Sequence, residues 1–348
     1  MAAIVRKLGR PRLTVAMPAH NCRRFIADAI ESVLAQDLTD FEFLLLDDGS
    51  SDGTRQIAES YARADKRLRV ISRANRGIAE SLNELFALAA APVVARADAD
   101  DIYEPTRFSA QLAFLDNHPR YGLVGCQATL IDEDGRPVRP ASPRVPCTHE
   151  EIVSALPTYS PFYHPAVMMR RSAIFDVGGY RMAYSDADDY DLWLRLSEVT
   201  RMANLPDLLM RYRVHGGQVS RNIADQSRRA AIASLAHAAR KTGSPDPTIG
   251  MSELPRDHEL DAVFGAGSRK YVSRRMFNDI AWSHGVDKGD ALPLLLANPT
   301  VAADPLMLAY IAMKQFRAGR PAAAIQTLGS TLGFARRGRR HAQATTSE

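Results

Sequence analysis

The hexapeptide Arg96-Ala97-Asp98-Ala99-Asp100-Asp101 follows directly on the short apolar run Pro92-Val93-Val94-Ala95. In extended backbone, alternate residues share a face, so Asp98 and Asp100 point the same way where the run ends. Two carboxylates held that close repel, and burying either ion costs several kcal/mol unless a cation or strong donors meet it. A hard divalent cation answers that need, and Mg²⁺ characteristically takes one or two carboxylates together with substrate phosphates. The same residues also read as an acidic turn that caps the next helix and pairs with Arg96.

Five other groups could do chemistry. Asp47-Asp48-Gly49-Ser50-Ser51-Asp52-Gly53-Thr54 closes the apolar run at residues 41–46, and its carboxylates and hydroxyls offer hydrogen bonds to a base, ribose or phosphate. Asp48, Ser50, Asp52, Gly53 and Glu59 also match a calcium-binding helix-loop-helix, but a strand pattern stands where its entering helix must be, which favours a nucleotide pocket. Pro18-Ala19-His20-Asn21 and Asn75-Arg76-Gly77 occupy two further strand ends. Asn21 there either caps a helix or bonds a ligand, and Arg76 suits a phosphate. Asp186-Ala187-Asp188-Asp189-Tyr190-Asp191 opens an amphipathic helix, whose dipole favours acids at that end. One of those carboxylates could accept a hydroxyl proton. An ordinary Asp, with a pKa of about 3.9, is a weak base at neutral pH. It suffices when bond breaking to a stabilised leaving group, such as a metal-bound diphosphate, is well advanced. His215, and less persuasively His164 before Pro165, stand at strand ends, where imidazole either takes an ordinary hydrogen bond or ligates Mn²⁺.

The elements that position these groups follow from hydrophobic periodicity. Residues 13–97 alternate short apolar runs with helical spacing, the signature of βαβ units and a parallel sheet. Strands are expected at 13–17, 41–46, 68–71 and 93–97. The intervening helices carry Ile26, Ile30, Val33 and Leu34; then Ile57 and Tyr61 behind a capping Asp52; then Ile78, Leu82, Leu85 and Phe86. Right-handed crossovers place Pro18, Asp47 and Asp98 along one edge, where open α/β sheets bind ligands. After a helix with Phe108, Leu112 and Leu115, strands are expected around 123–126, at 164–169 and at 208–214, with a turn at Asp134-Gly135 and a helix at 190–196. From about Gln218 the residues read as mainly helical, including the apolar stretch 305–313 and the Ala-rich segment 321–328.

Bulk properties limit the partners. The 348 residues carry 44 basic against 40 acidic side chains, a net charge of +4, and much of the excess lies in Arg6, Lys7, Arg10 and Arg12 and in Arg336, Arg337, Arg339 and Arg340. These read as solvated termini, with anionic lipid the functional alternative and no case for nucleic acid. Cys22, Cys126 and Cys147 have no metal-type spacing and leave one unpaired, which fits a reducing compartment. With no secretory start pattern and no long apolar run, the chain is expected to be cytoplasmic.

Taken in order, PAHN (18–21), LDDGSSDGT (46–54), NRG (75–77), RADADD (96–101), HPAVMMRR (164–171), GGY (178–180), DDYDLWLRL (188–196) and YRVH (212–215) resemble the family 2 glycosyltransferases over residues 13–220. The resemblance implies an α/β GT-A fold: a mostly parallel mixed sheet flanked by helices, followed by a helical C-terminal region. It implies a nucleotide-diphosphate sugar donor, UDP-sugar favoured, and transfer with inversion to a hydroxyl of a glycan, lipid-linked or other cell-envelope acceptor. By the same resemblance Pro18, Ala19, Asn21 and Asp48 lie around the base and ribose, with Arg76 toward phosphate. Asp98 contacts the ribose or the metal, Asp100 ligates Mn²⁺ or Mg²⁺, and His215 joins that metal in some members. Asp189 matches the general base. The family usually presents Glu-Asp there, and Asp188 replaces the glutamate, so Asp188 and Asp191 stand as alternates. The implied organisation is a basic segment at 1–12, a transferase domain at 13–220, helices at 221–333 and a polar tail at 334–348. The helices are open to three roles: holding the acceptor, forming a homodimer, or resting on a membrane. A sugar-nucleotide pyrophosphorylase would share the sheet edge but needs a Gly-rich phosphate loop, which PAHN is not. A non-catalytic sugar-nucleotide-binding protein is the other alternative, and the intact acids argue against it.

Overall fold

Phe41, Phe43 and Leu45 on one face of a strand, and Leu44 and Leu46 on the other, are all buried, a pattern only a strand covered on both sides by other elements can hold. The computed structural model, which describes residues 10–138, 144–216, 223–282, 308–309 and 312–313, places this strand inside an eight-stranded sheet. In chain order the first half is β1 (Leu13–Ala19), α1 (Ile26–Leu34), β2 (Phe41–Asp47), α2 (Thr54–Ala64), β3 (Leu68–Ser72), α3 (Ile78–Leu88) and β4 (Val93–Arg96). Then follow β5 (Ile102–Tyr103), α4 (Arg107–Asn117), β6 (Tyr121–Ile131), α5 (His149–Ala155), β7 (Met168–Arg170), α6 (Arg171–Asp176), α7 (Asp188–Leu196) and β8 (Arg201–Arg213).

The strand order is β3-β2-β1-β4-β7-β6-β8-β5. The left half is parallel, with Ala19 beside Asp47, Asp47 beside Ser72, and Ala16 beside Arg96. The connections run outward from β1 through β2 to β3, and the chain then crosses back through α3 to place β4 on the other side of β1, so the topological switch lies between β1 and β4, where α/β sheets open a crevice at their carboxyl ends. Strand direction reverses between β4 and β7, which pair antiparallel. The core gathers Ile26, Ile30 and Val33 of α1 with Val15, Met17, Phe43 and Leu45 of the sheet, and Phe108, Leu112 and Leu115 of α4 extend it.

Two expected strands differ from what forms. Over 164–169, His164–Ala166 make a 3₁₀ turn and only Met168–Arg170 pair, because Pro165 has no N–H to give a sheet ladder. The strand expected at 208–214 begins at Arg201 instead. Its pairing with β6 skips from Leu205 to Leu208, so Pro206 and Asp207 are absorbed in a bulge.

The chain divides into two compact units, Met1–Gln218 and Val219–Glu348. In the second, α8 (Ile223–Lys241) packs on α10 (Ser268–Trp282), with α9 (Leu260–Phe264) against both. Its buried side chains include Ala231, Ile232, Ala233 and Ala236 of α8, Leu260 of α9 and Val272, Met276 and Phe277 of α10. Most of the apolar stretch 305–313, all of 321–328, Arg6, Lys7 and the arginines at 336–340 lie outside the described residues. No helix among the described residues is long and apolar enough to cross a membrane. The three cysteines are free thiols.

Gly125 of β6 leaves no room for a side chain: an added Cβ would sit 2.0 Å from Asn204 Oδ1 and 3.0 Å from Phe162 Cδ1. Asn204 is itself fixed by donating to the carbonyls of Pro146 (2.7 Å) and Pro161 (3.0 Å). Gly125→Ala is therefore expected to destabilise by ~1–3 kcal/mol in equilibrium urea unfolding, and an unchanged midpoint would contradict this packing.

Candidate active site

β4 ends at Arg96, and the next turn carries three carboxylates, Asp98, Asp100 and Asp101, whose oxygens lie within 4.8 Å of one another. Asp98 ion-pairs with the buried Arg96, and its backbone N–H is bonded to the Tyr103 hydroxyl. Burial pushes the Asp98 carboxyl up, Arg96 opposes that, and Asp100 adds to it. Asp101 is 1% exposed. Its Oδ1 accepts the Arg213 N–H at 2.8 Å, while Oδ2 has no partner among the described residues. Burial and then the charges of Asp100 and Asp98 push it well above the usual carboxylate range. Asp100 Oδ2 meets His215 Nε2 at 2.9 Å. His215 is backed by the Phe25 ring at 4.7 Å, and Arg213 lies over the same ring at 4.8 Å while donating to the Asp100 carbonyl at 2.8 Å.

This donor set suits a hard divalent cation. It offers carboxylate oxygens in excess, one imidazole nitrogen, a buried oxygen without a donor, and carboxyls whose charge the surrounding protein does not fully neutralise. The acidic-turn reading also holds in part, since Arg96 does pair with Asp98.

At the ends of β1, β2 and β3, Pro18 and Ala19 are buried in β1. Asn21 adopts a left-handed φ of 49°, and its Oδ1 accepts the Ser51 N–H at 2.9 Å. Asp48 uses both oxygens on the neighbouring loop: Oδ1 takes the Arg76 N–H at 2.9 Å and the Arg73 guanidinium, Oδ2 the Gly77 N–H at 2.8 Å. Its carboxylate thus shapes the turn carrying Asn75-Arg76-Gly77. Gly49, at φ 77°, sits under that turn, where a Cβ would come within 2.7 Å of Asn75 N. The Arg76 guanidinium is exposed and paired with Glu80 at 2.9 Å.

At the start of α7 the three acids diverge. Asp191 is 1% exposed and clamped by Arg181 (2.9 Å from Nε) and by Arg195 (2.6 Å), so its charge is consumed in fixing the helix. Asp189 Oδ1 takes the Tyr190 N–H at 2.7 Å, and burial raises its carboxyl above the ordinary value. Asp188 is buried, its Oδ2 has no partner among the described residues, and burial followed by the Asp189 charge lifts it from the ordinary 3.8 to about 7. Asp186, just before the helix, holds φ 69°. Tyr180 and His164 share a 2.9 Å hydrogen bond beside this group, and burial, then the Arg96 charge, keeps the imidazole neutral.

The strand ends expected along one edge, carrying Pro18, Asp47 and Asp98, do lie together, and His215, expected beside the metal only from the family resemblance, meets Asp100. Sequence reasoning did not find Arg213, Tyr180 or Tyr103 as supports, and it weighed Arg96 only as the partner of an acidic turn. A signal for Arg96 was present: a guanidinium directly following Val93-Val94-Ala95 in a central strand is costly to bury unless acids converge on it.

Residues 14–179 match the model of glycosyl transferase family 2. The putative glycosyltransferase EpsE of Bacillus subtilis is 38% identical over 208 residues, which cover 58% of this chain and 73% of EpsE. The amylovoran biosynthesis glycosyltransferase AmsE of Erwinia amylovora is 30% identical over 198 residues, covering 56% and 73%. Among solved structures, S. aureus TarS 1–349 in complex with UDP-GlcNAc matches with a TM-score of 0.52 at 18% identity, over 94% of this chain and 92% of that one. The mannosyltransferase PcManGT from Pyrobaculum calidifontis, in complex with GDP-Man and Mn²⁺, matches with a TM-score of 0.51 at 17% identity, over 93% and 87%. At such identities the structural likeness is one of fold.

The raised Asp188 carboxyl has a consequence for stability. Between 3.8 and about 7 the folded chain holds a proton that the unfolded chain has released, so this group's contribution falls as pH rises through that window. Asp188→Asn removes that dependence. Relative to the native chain, the variant is expected to gain up to about 4 kcal/mol between about pH 4 and pH 8. Denaturant midpoints of the two proteins with the same pH slope would contradict the burial of Asp188.

Proposed function

We propose, from the premise that this chain belongs to glycosyl transferase family 2 and is a glycosyltransferase with a GT-A fold, a specific division of labour among its acids. The enzyme moves a sugar from a nucleoside diphosphate sugar, UDP-sugar favoured, to an acceptor hydroxyl with inversion. The observation that carries the reading is the convergence of Asp98, Asp100, Asp101 and His215 at the carboxyl end of β4, beside the switch point of the sheet. Asp100, with Asp98 and His215, would hold Mn²⁺ or Mg²⁺, which when bound supplies the positive charge that stabilises a leaving diphosphate.

The protein's own residues do the rest. Pro18, Ala19 and Asn21 wall the nucleoside end, and Asp48 sets the loop that presents Arg76. Asp189 takes the proton of the acceptor hydroxyl as the oxygen bonds to the anomeric carbon and the bond to the diphosphate breaks on the opposite face. Burial of Asp189 raises its basicity, which suits that task. Asp191 is excluded from it by its two arginines. We extend the reading to a glycan or lipid-linked acceptor in cell-envelope polysaccharide synthesis, met from the cytoplasmic side with peripheral membrane contact; what supports it is the likeness to AmsE, a glycosyltransferase named for amylovoran biosynthesis, and only as regards biosynthesis. We assign the transferase domain to residues 13–220 and acceptor holding or homodimer contacts to the helices at 221–333.

Nucleotide release from a panel of UDP-, GDP- and dTDP-sugars, with and without Mn²⁺, tests this reading. Asp189→Asn is expected to lower kcat by about 10²–10⁴-fold with the donor KM little changed. Asp100→Ala is expected to abolish the response to Mn²⁺, and chelation to silence the native enzyme. If no sugar nucleotide binds or turns over, the assignment fails.

A further inference from the structure

Asn83 lies in the middle of α3, half-buried, and its amide meets both backbone groups of one distant residue. Nδ2 donates to the Tyr180 carbonyl at 2.8 Å, and Oδ1 accepts the Tyr180 N–H at 2.8 Å. One side chain thus satisfies the donor and the acceptor of a peptide segment that lies in no strand or helix. Gly179, at φ 72°, sits so close that a Cβ there would come within 2.6 Å of Asn83 Oδ1. The segment held in this way leads into α7. Arg181, the next residue, donates from Nε to Asp191 Oδ2 at 2.9 Å, in the first turn of α7 and two residues after Asp189. Arg195 of α7 donates to the Val177 carbonyl at 2.6 Å, so residues 177–181 are joined to the helix at both ends. On its other side α3 is tied to the loops after β2 and β3. Gly77, which precedes the helix, donates to Asp48 Oδ2 at 2.8 Å, and Arg73, ion-paired with Asp48, donates to Ser81 Oγ (3.0 Å) and to Glu84 (2.8 Å) of α3.

We propose that Asn83 is a positioning residue that holds the general-base end of α7 in register with the donor pocket, α3 being the strut between them. The proposal rests on the glycosyltransferase reading above, with Asp189 as the base. An inverting displacement needs the base, the acceptor oxygen, the anomeric carbon and the leaving diphosphate aligned, and a misplacement of about 1 Å costs about 100-fold in rate. Donor loops and base come from distant parts of the chain, so something must fix their separation. Asp48 and Arg73 fix α3 on the donor side. Asn83, through Tyr180 and the adjacent Arg181, fixes Asp191 and with it the turn that carries Asp189. The amide suits this task because it donates and accepts at once. An aspartate in its place would set a carboxylate oxygen against the Tyr180 carbonyl, and an alanine would leave both backbone groups unmatched.

The test compares Asn83→Ala, Asn83→Asp and the double variant Asn83→Ala/Asp189→Asn with Asp189→Asn and the native full-length chain. Sugar-nucleotide turnover gives kcat and donor KM, calorimetry with UDP and Mn²⁺ reports the donor pocket, and thermal unfolding verifies folding. Both Asn83 variants are expected to lower kcat by about 10–100-fold while donor KM and UDP affinity stay within about twofold of native. Because a base that is no longer placed has little left to lose, Asp189→Asn is expected to cost at least about tenfold less in the Asn83→Ala background than in the native chain. A folded Asn83→Ala protein with native kcat, a loss carried by donor KM or UDP affinity, or losses that simply multiply with that of Asp189→Asn overturns the proposal. If the alanine variant does not fold, Asn83→Asp, which keeps the volume and the acceptor oxygen, is read by the same outcomes, alone and combined with Asp189→Asn. A native enzyme that turns over no sugar nucleotide overturns both this proposal and the reading it rests on, whereas an active native enzyme with unaffected variants overturns only the role of Asn83.

Discussion

Too many carboxylates meet at one edge of the sheet for water to solvate them. Asp98 and Asp101 at the β4 turn and Asp188 and Asp189 at the start of α7 are all pushed up chiefly by burial. Left to themselves they would repel one another and spread the strand ends apart. The surrounding architecture answers that repulsion piece by piece. Arg96 pairs with Asp98, the Arg213 backbone bonds Asp101, and His215 takes Asp100. What is left over is incomplete compensation, and that residue of negative charge is the property a cation and a diphosphate can use. A site fully neutralised by its own protein would be stable and inert.

The fold was legible where a periodic pattern repeats. From β1 to β4 the alternation of apolar runs and helical faces places every element, because each face is either buried or exposed with little middle ground. Legibility fails at β8. Its first half carries Asn204 and Pro206, which read as loop, yet Asn204 is 3% exposed and holds two distant carbonyls, and Pro206 falls in a bulge. Both facts depend on partners far along the chain, to which local spacing is blind. The site divides the same way. The acids announce themselves by type and spacing, whereas their supports, Tyr103, Tyr180 and Arg213, are ordinary residues until the fold brings them beside a charge.

Among the described residues two non-glycine residues hold left-handed backbone, Asn21 in the loop after β1 and Asp186 just before α7. Such conformations cost about 1–3 kcal/mol each and persist where the surroundings dictate them. Asn21 is held by Ser50 and Ser51, so the loop after β2 fixes the loop after β1. Local strain thus sits in the loop after β1 and at the entry to α7, away from the sheet that carries the core.

Asp48 binds the loop after β3 with both of its oxygens, and Gly49 lies so close to Asn75 that nothing larger fits. Three successive loops, after β1, β2 and β3, therefore behave as one interlocked body rather than as three independent fingers. A change of side chain in one of these loops must therefore be matched in the other two, so that along this edge of the sheet residues can vary only as coordinated sets.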